Sequence, residues 1–134
     1  MAKGDRRKPT DGELEILGVL WDQGPSTVRD VYRQVAASRD TGYTTVLKLM
    51  QIMTGKGLLV RDTTVRPQVY RPAESRRQMQ GQLLRDLLDR VFSGSPGNLV
   101  LQALSAQETT REERQEIRAL LERLEREGNG DEPA

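Results

Sequence analysis

The chain has 134 residues, enough for one ordinary domain or two very small ones. It contains no cysteine and no histidine, which excludes zinc fingers, thiolate metal sites, Cys or His nucleophile chemistry, Ser-His-Asp triads and any disulfide framework. The net charge of +1 hides an asymmetry: residues 1–72 carry 12 Lys/Arg against 8 Asp/Glu, while residues 73–134 carry 9 against 12, so the N-terminal half is the one suited to a polyanion.

Residues 1–9 read as a disordered basic arm, a solvated tail or a phosphate-contacting one. No apolar stretch follows Met1–Lys8, so no secretory signal is expected there. No apolar run nears the ~18 residues a membrane helix needs, and a cytoplasmic setting without membrane insertion is expected. Thr10 and Glu13 form a T-x-x-E capping box, after which Leu14, Leu17 and Trp21 recur at helical spacing, widened by Ile16 and Leu20. Gly24-Pro25 stops this first helix. A second starts from Ser26 or Thr27, with Asp30 near its positive end, and carries Val28, Val31, Tyr32 and Val35 on one face. After the polar connection Ser38–Gly42, a third helix runs from about Thr44 to Lys56. Val46, Leu49 or Met50, and Met53 give it an apolar face, Thr44, Thr45, Lys48 and Gln51 a polar one, and Gly57 a stop. Trp21, Tyr32 and the methionines read as core residues, and Tyr70 as packing within the next element.

The period then changes. Leu58–Thr63 and Gln68–Pro72 read as two short strands joined by Thr64-Val65-Arg66-Pro67, a hairpin with a basic tip. Beyond it, Met79 or Gln80, Leu83, Leu84, Leu87, Leu88, Val91 and Phe92 mark a long helix from about Glu74 to Phe92, broken at Ser93-Gly94-Ser95. Ser95-Pro96 opens a short helix with Leu99, Val100, Ala103 and Leu104. Thr110 and Glu113 form another capping box, followed by Ile117, Leu120, Leu121 and Leu124; Gly128 is expected to end this helix and residues 129–134 to be a disordered tail.

The expected fold is therefore mostly α with a small β-hairpin: a winged helix-turn-helix over 10–73, then a three-helix dimerisation domain over 74–128. In a winged helix the third helix enters the DNA major groove. Thr44 and Thr45 suit base edges and thymine methyls, and Lys48 suits a guanine edge or a phosphate. Tyr43 packs under the helix start or hydrogen-bonds a phosphate. Gln51 lies on the same face, and Arg66 at the tip, with Arg61 and Arg71 on the strands, is placed to grip the backbone beside the groove. A polar helix face is ordinarily just solvated; the order helix-helix-helix-hairpin is what points to DNA.

The Leu-rich C-terminal helices offer a small core for about 55 residues, below the size that readily stands alone. Leu84, Leu87, Leu88 and Val91, then Leu99, Leu101 and Leu104, then Ile117, Leu120, Leu121 and Leu124 are candidates for a two-fold homodimer interface, which would present two recognition helices to two half-sites. Folding back onto the winged unit is the alternative.

Taken together, Gly42-Tyr43-Thr44-Thr45-Val46-Leu47-Lys48-Leu49-Met50, Lys56-Gly57-Leu58-Leu59 and Gln68-Val69-Tyr70-Arg71-Pro72 resemble the penicillinase-repressor family of BlaI, MecI and CopY type. So do the stretch Thr10–Leu17 with Leu20-Trp21 and Gly24-Pro25, and the segment Gly94–Leu101; the likeness covers about residues 10–125. The resemblance implies a dimeric repressor of double-stranded DNA operators, with no cofactor. It also implies, in the antibiotic-resistance branch, relief through a membrane sensor-transducer protease system and a cut in the dimerisation domain. The corresponding candidate region is Leu101, Gln102, Ala103 and Leu104. The Asn-Phe pair cleaved in that branch falls on Gln102-Ala103 and is absent, and the cysteines of the copper-responsive branch are absent too. Two other function classes compete: a winged-helix protein-interaction module, and a ligand-gated regulator. An enzyme is disfavoured, because acidic pairs such as Glu112/Glu113 sit on an exposed helical face with no acid-base neighbours.

Overall fold

Helix α1 (Asp11–Gln23) begins at its capping box. The Glu13 backbone N–H donates to the Thr10 hydroxyl at 3.2 Å, and the Thr10 N–H donates to Glu13 Oε1 at 2.9 Å. Two of the donors that a helix start leaves open are thereby satisfied. Gly24 ends the helix at φ 88°, ψ −173°, a backbone region essentially reserved for glycine. The structure, a computed structural model, describes residues 8–131. Most of the expected basic arm, residues 1–7, and residues 132–134 of the expected tail lie outside the described residues.

Helix α2 (Val28–Ser38) starts from Thr27 rather than Ser26, with Asp30 closing a second reciprocal box. Ser26 has another task. Its backbone exchanges hydrogen bonds of 3.0 and 2.8 Å with Tyr70, adding a one-residue rung to the hairpin. Helix α3 (Tyr43–Gly55) begins one residue earlier than the sequence pattern suggests and ends in a Schellman motif. Gly57, at φ 83°, lets the Leu58 N–H reach the Met53 carbonyl at 2.9 Å and its own N–H reach the Thr54 carbonyl at 3.1 Å. Strands β1 (Leu59–Asp62) and β2 (Val69–Pro72) pair antiparallel, Leu59 opposite Pro72 and Asp62 opposite Val69.

One stripe from each element closes the core. Ile16, Leu17 and Leu20 come from α1, Val28, Val31 and Val35 from α2, and Val46, Met50 and Met53 from α3, with Leu58, Leu59 and Tyr70 below them. Trp21 and Tyr32, expected in the core, lie half-buried at its margin. Each ring has a polar end that needs a partner or water. The Trp21 indole N–H finds the Glu74 carbonyl at 3.0 Å.

Helix α4 (Arg76–Val91) starts later than expected because Ser75 and Gln78 cap it reciprocally, at 3.1 and 2.9 Å. Its residue Met79 is buried in the core just described, and Leu83 packs against it. Ser93 and Gly94, both at positive φ, turn the chain into α5 (Pro96–Ala106), capped by Ser95 with Pro96 in the first turn. Helix α6 (Arg111–Asp131) carries the Thr110–Glu113 box. It runs through Gly128, which the sequence pattern marks as its end. A mid-helix glycine costs only about 1 kcal/mol, and it ends a helix where its backbone turns to positive φ, as at Gly24 and Gly57.

The chain forms two compact units, one up to Arg85 and one from Asp86 on, divided inside α4. In the second, no residue from Asp86 to Gly128 is buried.

Candidate nucleic-acid interface

The inward residues Val46, Met50 and Met53 fix the rotation of α3 about its axis. The opposite face is thereby committed to solvent, and Tyr43, Thr44, Thr45, Lys48 and Gln51 are all exposed on it. Thr44, Lys48 and Gln51 are spaced by one turn each, with Thr45 beside Lys48, so they form a single polar stripe. The helix has 13 residues, about 20 Å in length, and contains no carboxylate. Lys48 makes no hydrogen bond or ion pair among the described residues, so its ammonium is not committed within the fold. Unlike the other helices described, α3 starts without a side-chain cap, at Gly42.

The hairpin stands beside this helix. Arg61, Arg66 and Arg71 are exposed. Arg66 lies in the turn, joined to Pro67 by a cis peptide bond. Directly opposed residues of an antiparallel pair share a face. Arg61 opposes Tyr70 and Arg71 opposes Val60, so the ribbon sends these two arginines to different sides. The turn is tied by Asp62, whose carboxylate accepts from the Thr64 hydroxyl at 2.6 Å and the Thr64 N–H at 2.9 Å. These bonds hold the Asp62 carboxyl below its ordinary value.

Tyr43 has two aromatic-face neighbours that its sequence position does not announce. Its ring, on the surface, has the Arg29 guanidinium over it, 5.4 Å from the centroid, and Tyr32 meets it edge-to-face at 5.8 Å. Arg29, the second residue of α2, was not among the sequence candidates. No local pattern marks it, because α2 and α3 must pack before residues 29 and 43 meet. Arg29, Tyr43 and Leu47 line a groove of about 560 Å³ that continues to Pro67 and Gln68 of the hairpin turn.

Behind the interface sits a second pairing that local patterns do not reveal. The Lys56 ammonium, just past the end of α3, donates to both Glu13 carboxylate oxygens at 2.8 and 3.1 Å. Glu13 is 1% exposed. Burial pushes its carboxyl up, but the Lys56 hydrogen bonds and charge, with those from Thr10, outweigh this and leave it lowered. The same carboxylate therefore caps α1 and pins the far end of α3.

The second unit carries the expected apolar positions on its surface. Leu87, Val91, Leu101, Leu104, Leu120, Leu121 and Leu124 are exposed, Val91 to 65% and Leu101 to 68%, while Leu88, Leu99 and Ile117 are half-buried. Leu84, still in the first unit, is also exposed. Leu101, Gln102, Ala103 and Leu104 lie within α5, where the Gln102 amide donates to Asn98 Oδ1 at 3.1 Å. Among the described residues no helix is long and apolar enough to cross a membrane.

A family model described as penicillinase repressor matches residues 9–123 of this chain. Two curated proteins named transcriptional regulator BlaI, from two strains of Mycobacterium tuberculosis, are each 34% identical to it over 80 residues. That stretch spans 58% of this chain and 58% of each relative.

Proposed function

The chain belongs to the penicillinase repressor family, and from that membership we propose that it is a dimeric, sequence-specific DNA-binding repressor of transcription. The observation that carries the reading is the carboxylate-free polar face of α3, held outward by a buried apolar face and flanked by an arginine-bearing hairpin. A helix about 10–12 Å across fits the B-DNA major groove, about 12 Å wide. Thr44, Thr45, Lys48 and Gln51 then meet base edges or the flanking phosphates, and Arg66 with one of the strand arginines meets the backbone.

The second unit's own composition supports the dimer. Among its described residues none is buried, and with a run of exposed leucines it lacks the core that a fragment of a few dozen residues needs to stand alone. A second copy covering the faces of α4, α5 and α6 supplies that burial and gives the DNA-binding surface a two-fold axis. Occupancy of a dyad operator blocks polymerase sterically, and anything that separates the copies lowers occupancy. A cut by a partner protease between Leu101 and Leu104 would act this way, after local opening of α5, which holds that segment helical.

The test is selection of genomic fragments by purified protein at near-physiological salt with excess non-specific competitor, alongside sedimentation. A shared dyad motif bound by a dimer is the expected result. Folded dimeric protein that recovers no motif would overturn the operator reading in favour of a winged-helix interaction module, and a monomer at micromolar concentration would overturn the dimer.

A further inference from the structure

We propose that Arg29 is a phosphate-contacting residue of the DNA interface and that Tyr43 is the positioning residue that holds it ready. The proposal rests on the DNA-binding reading above and adds to it a side chain on α2, outside the recognition helix and the hairpin.

Three observations carry it. Arg29 is exposed, and among the described residues its guanidinium makes no hydrogen bond or ion pair. Its five N–H donors are therefore uncommitted, which is unusual for an arginine held in one place. It is held by an aromatic face: the Tyr43 ring lies 5.4 Å from the guanidinium carbon, and Tyr32 braces that ring at 77° and 5.8 Å. A cation–π contact with the ring uses none of the guanidinium's N–H donors, so they remain available to fork onto a phosphate. Finally, Arg29 opens onto the groove that runs between the start of α3 and Pro67-Gln68 of the hairpin turn. A DNA strand whose major groove holds α3 and whose backbone meets the hairpin has its phosphates at that groove.

Asp30 also lines the groove, but its carboxylate accepts from the Thr27 N–H at the start of α2. One anion is thus partly neutralised by the helix it caps, and the guanidinium beside it is not.

The ligand is the phosphodiester backbone, without base information, which sets the expected behaviour of the variants. Arg29→Ala should weaken binding about tenfold for each copy of the dimer that contacts DNA, equally on operator and on random DNA, as for loss of a charge-assisted hydrogen bond. The salt dependence of log K should become shallower by about 0.9 for each lost phosphate contact, so by about 1.8 for a dimer that loses one in each copy. Arg29→Lys should keep the slope and lose part of the affinity, because it keeps the charge but not the fork. Tyr43→Phe should bind like the wild type. Tyr43→Leu should lose about twofold to fivefold with the slope kept, since a stacking contact of that size is removed while the charge remains.

These constants are measured by fluorescence anisotropy from low to physiological salt on the full chain, with thermal melting as the folding control. If the wild type binds the operator and Arg29→Ala matches it in affinity and slope, the proposal is overturned and the repressor reading stands. If Tyr43→Phe falls as far as Tyr43→Leu, the hydroxyl and not the ring is the contact, and the positioning role is overturned. If the wild type binds no duplex in a salt-dependent way, both this proposal and the reading beneath it fall.

Discussion

Replacing Lys56 by Met should destabilise the first unit strongly at neutral pH and progressively less in acid. Met keeps the aliphatic length of Lys56 but removes the only cation paired with Glu13 among the described residues, leaving a carboxylate that is 1% exposed with Thr10 as its remaining partner. Breaking a buried pair by removing one partner costs about 3–5 kcal/mol. The Lys56 side chain retains 29% of its exposure, so water reaches the site and screens part of this, and about 2–3 kcal/mol is expected. For a unit of this size that lowers Tm by about 10 °C or more. The sign of the pH dependence follows from Glu13. In the wild type its carboxyl is lowered below the ordinary value, so the pair's contribution is present above the unfolded value and is lost as pH falls through the folded one. In the variant the lowering contacts with Lys56 are gone and burial dominates, so the carboxyl moves up and protonation relieves the cost. The deficit relative to wild type should therefore shrink from pH 7 toward pH 4. The double variant Glu13→Gln with Lys56→Met should recover most of the loss, because Gln can still close the capping box and carries no charge. Urea denaturation of the three proteins at pH 7 and pH 4.5 measures this. A deficit below about 0.5 kcal/mol, the size of a surface substitution, would refute the buried-pair reasoning, as would one that does not change with pH.

Three further outcomes are expected. Gly42→Asp should raise stability by a few tenths of a kcal/mol, since the N-cap of α3 lacks a side-chain acceptor and has open space around it. The same change should weaken DNA binding by placing a negative charge at the start of the recognition helix; calorimetry and anisotropy should show opposite signs. Arg66→Ala should lower the salt slope of operator binding by about 0.9 per lost phosphate contact, about 1.8 for the dimer, and leave melting unchanged, and an unaltered slope would remove the hairpin tip from the interface. Val91→Asp or Leu101→Asp, at positions already exposed within one copy, should leave the first unit folded but shift sedimentation from dimer to monomer; a persistent dimer would place the contact elsewhere.

Much of the chain's architecture is local. The boxes at Thr10–Glu13, Thr27–Asp30 and Thr110–Glu113 are hydrogen bonds across three residues, and the Gly57 stop requires only a left-handed backbone, so such elements can be read from the residues themselves. The polar stripe on α3 is legible for the same reason: a helical period separates Val46, Met50 and Met53 from Thr44, Thr45, Lys48 and Gln51. The Ser75–Gln78 box obeys the same rule and could have been found. Glycine at 128 shows the limit of the local rule, since the helix continues through it while the one at 57 ends α3.

What local rules cannot supply is which faces meet. Glu13 reaches Lys56 across 43 positions, Ser26 pairs with Tyr70, the Trp21 N–H finds the Glu74 carbonyl, and Arg29 settles on Tyr43. Each depends on packing angles and on the depth of a core that exists only once the helices have closed on one another. The elements, their order and the outward face of α3 follow from periodicity and caps and are therefore readable from the residues alone. That a capping carboxylate is also a buried ion-pair partner, and that Tyr43 carries Arg29 over its ring, emerges only with the packed helices, because those contacts join residues far apart in the chain.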